Sequence, residues 1–272
     1  FGMTNVVITG STRGIGLGIA REFARRGHAV VVSGRTPGAT ARAVQDIGTA
    51  GGRITGIACD VSSLAAVGAL WAGAAAALGQ VDIWLNNAGQ AHETHRFWQQ
   101  PPEILAPIVA TNLTGLMHGC HVAMRGMLAQ RDGPYGKGAI YNLTGFGRTN
   151  IYQPGMAIYG ATKRAVDYFS RALAKEAEGN GVIVGQINPG MVVTDMLRQG
   201  YRTSVRDPAT IRRFYNILAS TPDEAAGFIV DQVLANRRSG VLINREPRRA
   251  VLAKLLMAPF RRQRRDVLAE NQ

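Results

Sequence analysis

Short, nearly unbroken apolar runs alternate along the chain with longer stretches whose apolar residues recur at helical spacing. The runs are NVVIT, AVVVS, RITGIA, VDIWLN, GAIYNL, VIVGQI and GVLIN. They are rich in β-branched residues and poor in polar ones, the pattern of parallel strands buried on both faces. Between them the spacing predicts helices over Gly14–Arg26, Gly38–Ala50, Ser62–Gly79, Pro101–Arg131, Met156–Gly179 and Thr221–Asn236. Strand and helix taking turns indicates βαβ units, hence an α/β, Rossmann-type doubly wound parallel sheet of about seven strands flanked by helices. No internal repeat or low-complexity linker interrupts the series, so residues 3–244 are expected to form one domain and 245–272 an extension of it. The connections Gln90–Pro102 and Gly190–Ser220 are longer than a compact domain needs, as binding loops and lids often are.

Composition changes this picture in one place. The chain is 46% hydrophobic, ample for a large core, but carries a formal net charge of +13 that is unevenly spread. Arg245, Arg248, Arg249, Lys254, Arg261, Arg262, Arg264 and Arg265 face only Glu246, Asp266 and Glu270 in the extension. There Val251, Leu252, Leu255 and Leu256 form one helical stripe before Pro259. A basic amphipathic segment suits an anionic membrane surface, or packing on its own domain or a subunit mate. No nucleic-acid motif accompanies the charge, so nucleic acid is not an expected partner. Cys59 and Cys120 lack CxxC spacing and read as buried thiols. The five histidines never form HExxH, so no metal site is expected. Leu64–Leu78 is too short for a bilayer, which needs about 20 residues. Met3 reads as the natural start with no secretory leader. The expected location is cytoplasmic, at most peripheral to a membrane.

Four motifs carry chemistry. The first strand runs into TGSTRGIG, Thr9–Gly16, where Gly10 permits a tight turn and Gly14 and Gly16 allow backbone to approach a pyrophosphate seated on a helix N-terminus. Ser11, Thr12, Arg13 and Ile15 complete that candidate cradle. At the end of the second strand, where an acid would accept ribose hydroxyls, Gly34 is followed by Arg35. With Arg13 on the neighbouring turn, the guanidinium suits a 2′-phosphate and hence NADPH/NADP+. Asp60 and Val61 follow the third strand; Asp60 either meets an adenine amino group or caps the next helix. NNAG, Asn86–Gly89, brings Asn87, Ala88 and Gly89 to the cleft where strand order reverses.

TGxxxGxG, NNAG, the Tyr159–Lys163 pair and NPGMVVT (Asn188–Thr194), in that order and spacing, resemble the short-chain dehydrogenases/reductases from Val6 to about Asn244. DIWLNNAG, NLTGLM, YGATKR and NPGMVVTDML are most similar to the chlorophyll b reductase branch. The resemblance implies that Tyr159 gives the proton to a carbonyl oxygen and that Lys163, one helical turn on, lowers its pKa and binds the nicotinamide ribose. Asn112 matches the family asparagine that holds a proton-relay water. Pro189 and Gly190 are implied to shape the backbone beside the nicotinamide, the Val192 amide to meet its carboxamide, and Thr194 to touch carboxamide or phosphate. A small-molecule carbonyl substrate and a homodimer or homotetramer built through the long central helices complete the expectation.

One family element is missing. A serine normally follows the fifth strand; here three registers compete. Three residues on from Asn142 is Gly145, about thirteen back from Tyr159 is Phe146, and matching Gly147 to the family's SxxG gives Thr144. Thr144 is the hydroxyl there and stands as the candidate substitute. The chlorophyll b reductases resemble this stretch in being glycine-rich without the ordinary serine. The implied reaction is NADPH-dependent reduction of an aldehyde or ketone, with a formyl group on a chlorophyll-like tetrapyrrole as the leading substrate. A general carbonyl or 3-oxoacyl reductase and a non-catalytic NADP(H)-sensing protein are the alternatives. Met191, Met196, Leu197, Tyr201, Phe214 and Tyr215, with Arg198, Arg202, Arg206, Arg212 and Arg213, form the candidate substrate side, joined by His92, His95, Phe97 and Trp98.

Overall fold

The computed structural model describes residues 2–48, 51–148, 152–195, 197–198 and 208–257. Seven parallel strands pair in the order β3-β2-β1-β4-β5-β6-β7: β1 (Asn5–Ile8), β2 (Ala29–Gly34), β3 (Ile54–Ala58), β4 (Ile83–Asn86), β5 (Gly138–Leu143), β6 (Val182–Asn188) and β7 (Leu242–Asn244). The chain winds outward from β1 in one direction and from β4 in the other. Val6↔Ile83 and Ile8↔Leu85 pair across that switch, beyond whose carboxyl ends a crevice opens.

Although the strands are largely apolar, their alternation still sorts the core into two layers. Val6, Ile8, Val30, Val32, Ile83 and Leu85 pack on one face with Ile19 and Phe23 of α1 (Gly14–Arg25). Val7, Val31, Trp84 and Ile140 pack on the other with Leu70 of α3 (Leu64–Leu78). Period-two side chains on a doubly buried sheet make this division unavoidable. The helix starts follow local chemistry. Thr36 caps α2 (Pro37–Ile47) through the Ala39 amide at 3.3 Å, and Ser63 caps α3 through the Ala66 amide at 3.3 Å.

Three predicted elements differ in form. The helix expected over Pro101–Arg131 is α4 (Leu105–Val109), a π-helical turn (Ala110–Thr114) and α5 (Gly115–Ala129), preceded by single 3-10 turns. The connection from Gly190 to Ser220 contains a helix, α7 (Pro208–Leu218), between α6 (Ala157–Glu176) and α8 (Pro222–Ala235). The tail forms α9 (Arg248–Met257), but its leucine stripe is not what docks: Leu252 and Leu256 are 58% and 65% exposed, while Val251 and Lys254 are half-buried. Met196, Tyr201, Arg202, Arg206 and the arginines from Arg261 onward lie outside the described residues. No helix among the described residues is long and apolar enough to cross a membrane.

Candidate active site

The glycine turn, the NNAG turn and the NPG loop meet at the switch point. Gly10 and Gly14 have φ of 62° and 57°, where a side chain is strained. A Cβ on Gly10 would lie 2.7 Å from the Ala88 Cα, and one on Gly14 3.3 Å from the Thr194 methyl. Gly16 tolerates no side chain either, since its Cβ would lie 2.7 Å from the Gly10 carbonyl oxygen. Asn87 staples the turns together, its amide nitrogen donating to the Thr9 and Gly10 carbonyls at 2.8 Å each. The Asn87 and Ala88 backbone amides donate to Thr9 Oγ1 at 3.1 Å. At the start of α1, Arg13 makes no side-chain cap. The first-turn amides are thus left uncapped by Arg13 behind a glycine turn, an arrangement that fits a dinucleotide pyrophosphate.

Ser11 is wholly buried; its hydroxyl donates to Ile8 O at 2.7 Å and accepts the Ser33 amide at 2.9 Å, so it serves the turn rather than facing the crevice. Thr12 covers Gly34: a Cβ at Gly34 would lie 3.0 Å from Thr12 Oγ1. A side chain at Gly34 would therefore have to displace Thr12. The residues following that contact are Arg13 in the glycine turn and Arg35 just after β2, both exposed. Arg13 makes one loose pair with Asp195 at 3.9 Å. Asp60 Oδ1 accepts the Ser62 hydroxyl and amide at 2.7 and 3.0 Å, and these bonds hold its carboxyl below the ordinary range against burial, with Arg35 adding a smaller pull. Val61 is buried beneath Gly115. Ile15 is half-buried on α1.

Tyr159 and Lys163 share one face of α6. Lys163 is 5% exposed, with Nζ 5.7 Å from the Tyr159 ring centre and donating to Leu143 O at 3.1 Å. A Cβ on Gly89 would come within 3.8 Å of the same Nζ, so the amine sits between the NNAG turn and the end of β5. Burial pushes the Tyr159 phenol up to about 12 and Lys163 down to about 8. Both neutral forms are favoured because low dielectric penalises charge.

Asn112 lies in the π-helical turn and is completely buried. Its Oδ1 accepts the Gln90 amide at 2.8 Å, and its Nδ2 donates to Gln90 O at 2.9 Å and Thr162 Oγ1 at 3.2 Å. Thr162 in turn donates to Tyr159 O at 2.7 Å. The side chain of Asn112 thus joins the NNAG loop to the Tyr159 helix, with both Nδ2 hydrogens committed.

The three serine registers are separated by geometry. A Cβ on Gly145 would point at Tyr159 Oη from 3.0 Å, with Lys163 Cε at 3.9 Å. Thr144 is 3% exposed and its hydroxyl donates to Ile187 O at 3.0 Å on β6, where its amide also bonds at 2.8 Å. This corrects the expectation for Thr144: its hydroxyl belongs to the sheet, and the residue facing the phenol is Gly145. The next turns cannot shift, because Gly147 (φ 98°) rests against Gly160, too close for any Cβ.

On the other side of the crevice, Pro189 is buried and Gly190 turns with φ 77°. A parallel bridge from Val192 to Ser220 uses Ser220 N to Met191 O at 3.0 Å and Val193 N to Ser220 O at 2.9 Å, not the Val192 amide. Met191, Leu197 and Tyr215 pack around Val193 and Ala219. Glu246, Ser220, Gln90 and Thr162 were not candidates in the sequence. Each acts through contacts between segments, and the one local signal was an acid, Glu246, set among arginines. Of the loop after NNAG, His92 is buried while Phe97 and Trp98 are 56% and 77% exposed. An apolar cavity of about 350 Å³ lies between α4 and the start of α6, lined by Phe97, Leu105, Val109, Leu113, Ile158 and Ala161.

Comparison with known proteins agrees with this geometry. The chain is 36% identical over 241 residues to the chloroplastic chlorophyll(ide) b reductase NOL of Arabidopsis thaliana, covering 87% of this chain and 67% of that protein. It is 32% identical over 280 residues to the probable chlorophyll(ide) b reductase NYC1 of rice, Oryza sativa subsp. japonica, covering 97% of this chain but 54% of that one. It thus spans about two thirds of the first relative's length and about half of the second's. The crystal structure of 3-ketoacyl-(acyl-carrier-protein) reductase from Brucella melitensis, complexed with NADH, superposes with a TM-score of 0.77 at 26% identity, covering 91% of this chain and 98% of that one. The short chain dehydrogenase family model matches residues 4–204. With the cradle, the switch point and the Tyr159–Lys163 helix assembled in one crevice, the chain belongs to the short-chain dehydrogenase/reductase family of nicotinamide-dependent oxidoreductases.

Proposed function

We propose that this protein is an NADPH-dependent reductase of aldehydes or ketones, with a formyl group on a chlorophyll-like tetrapyrrole as its substrate. The observation that carries the reading is Gly145 beside Tyr159 Oη: it presents no side chain to the phenol, and even a Cβ there would crowd it from 3.0 Å. A formyl group fixed to a large rigid ring cannot turn to suit a crowded site, so a proton donor flanked by glycine favours it. The 36% identity to a chlorophyll(ide) b reductase supports the same substrate class.

Gly10, Gly14, Gly16 and the first amides of α1 would hold the pyrophosphate, and Arg13 and Arg35 the 2′-phosphate. Lys163 would bind the nicotinamide ribose, and Pro189, Gly190, Val192 and Thr194 would flank the nicotinamide. The bound nicotinamide supplies hydride to the carbonyl carbon. Tyr159, a neutral phenol throughout the physiological range because its pKa stands near 12, gives its Oη proton to the carbonyl oxygen. The Lys163 ammonium stabilises the phenolate left behind. In a medium of effective dielectric about 20, a charge pair at this separation gains about 3 kcal/mol, or about two pKa units. Asn112 keeps Gln90 and Tyr159 in register through the start of α6.

The fold likeness to the Brucella 3-ketoacyl reductase favours a second reading, a 3-oxoacyl or general carbonyl reductase. A non-catalytic NADP(H) sensor is the third. Initial rates of NADPH oxidation with a formyl tetrapyrrole, small ketones and acyl thioesters, for wild type and Tyr159→Phe, separate them. The proposal requires turnover of the tetrapyrrole that Tyr159→Phe loses; equal rates in both proteins would remove Tyr159 as donor, and binding without any turnover would make the protein a sensor. We also infer a homodimer or homotetramer through the outer faces of α4, α5 and α6, where Val109, Met117 and Tyr168 are exposed. Sedimentation would show a monomer if that inference fails.

A further inference from the structure

The segment after Asn244 reads in the sequence as a basic appendage, yet its one early acid reaches into the crevice. Glu246 Oε2 accepts the Met191 amide at 3.0 Å, and Oε1 receives Lys254 Nζ of α9 at 2.7 Å. The carboxylate lies flat on the NPG turn: a Cβ on Gly190 would come within 2.6 to 2.8 Å of its carboxyl carbon and oxygen. Lys254 Nζ also donates to Leu218 O, at the end of α7, at 3.1 Å. Arg245 Nη1 donates to Ser220 Oγ at 2.7 Å, and Ser220 is the bridge partner of Val192 in the NPG loop. One carboxylate therefore divides its two oxygens between the loop and the C-terminal helix. Its side chain is only 10% exposed, against 27% for Lys254.

The leucine exposure described above gives this pair its weight. A helix whose leucines face outward gains little from burying them, so the Lys254 contacts and the half-buried Val251 carry weight in its docking. Elements held by few contacts open readily, and such elements couple sites when a ligand prefers the closed state. We propose that Glu246 and Lys254 form a latch through which α9 holds the Pro189–Thr194 loop in its cofactor-binding shape. Glu246 is then a positioning residue: it touches the loop backbone and acts on the nicotinamide end only through it. This rests on the reading of that loop as the nicotinamide side of the site. Coupling is reciprocal, so nicotinamide binding must tighten α9 as much as latching tightens binding.

The test uses the full chain as wild type, Lys254→Met, Lys254→Arg and Glu246→Gln. Calorimetry gives affinities for NADPH, NADH and 2′-phospho-ADP-ribose, which is the phosphorylated cofactor without its nicotinamide ring. Hydrogen exchange without ligand follows the Met191 amide and the α9 amides. The latch requires Lys254→Met to weaken NADPH about fivefold or more, within the usual range of couplings, while 2′-phospho-ADP-ribose stays within twofold. Lys254→Arg should restore NADPH affinity, because it returns the charge to Glu246. The Met191 amide should exchange faster in Lys254→Met before any ligand is added. Equal weakening of both ligands would indicate general loosening and overturn the latch, as would unchanged NADPH affinity. If wild type binds neither dinucleotide, the cofactor reading fails by itself. Met191 exchange then decides the latch: acceleration in Lys254→Met upholds it as a device of the loop, and no change removes it.

Discussion

Replacing Gly145 by alanine and by serine separates space from hydroxyl at the phenol. An added Cβ would sit 3.0 Å from Tyr159 Oη, inside ordinary contact distance, so the phenol must give by a few tenths of an ångström. Displacing a side chain from its preferred rotamer costs about 0.5–1.5 kcal/mol, so Gly145→Ala should lose up to about tenfold in kcat/KM on every substrate. Gly145→Ser suffers the same crowding but places a hydroxyl one bond further, against the substrate oxygen. A well-aimed donor there is worth about 2.7–4 kcal/mol. For small ketones and aldehydes the gain exceeds the crowding by about 1–3.5 kcal/mol, so Gly145→Ser should exceed wild type by roughly ten- to several hundredfold. For a formyl tetrapyrrole the side chain fills the space that the ring needs, and the rate should fall below wild type. The assay is the decline of NADPH absorbance at initial rate, with both substrate classes run on all three proteins. The reasoning is refuted if Ser and Ala lose equally on small substrates, because a hydroxyl at 145 would then not reach the reacting oxygen.

Exchanging Arg35 for Asp removes a fork-shaped cation and adds a repelling charge where the 2′-phosphate is proposed to lie, so NADPH affinity should fall by at least about tenfold more than NADH affinity; equal losses in titrations with the two cofactors would exclude that placement. Lys163 has a pKa lowered to about 8, so its ammonium is present below that pH and lost above it, whereas Tyr159 keeps its proton to about 12. Reductive kcat/KM should therefore fall as pH rises through about 8, and Lys163→Arg, which keeps its charge, should abolish that fall at a lower plateau. An alkaline limb unchanged in Lys163→Arg would assign it to another group.

The order of strands and helices, the glycine cradle, the switch point and the Tyr159–Lys163 face follow from the sequence by itself. Each depends on local rules: apolar runs for buried strands, small residues where backbone must approach, and helical spacing for a shared face. Residues acting through contacts distant in sequence followed no such rule. Counting along the chain left Thr144, Gly145 and Phe146 open, because register in a loop is set by what the loop lies against, here Gly160 and β6. Asn112 stood out in the sequence as a candidate, but its engagement with Gln90 and Thr162 arises only when the π-helical turn brings three segments together. The leucine stripe of the tail correctly indicated a helix yet not its docked face, since periodicity reports that a face exists and not what covers it. Glu246 and Met191 stand 55 residues apart. Only the parallel pairing of β6 with β7 returns the chain to the place where one carboxylate reaches the other's amide. Tertiary structure decided that contact, as it decides every interaction whose partners no local pattern joins.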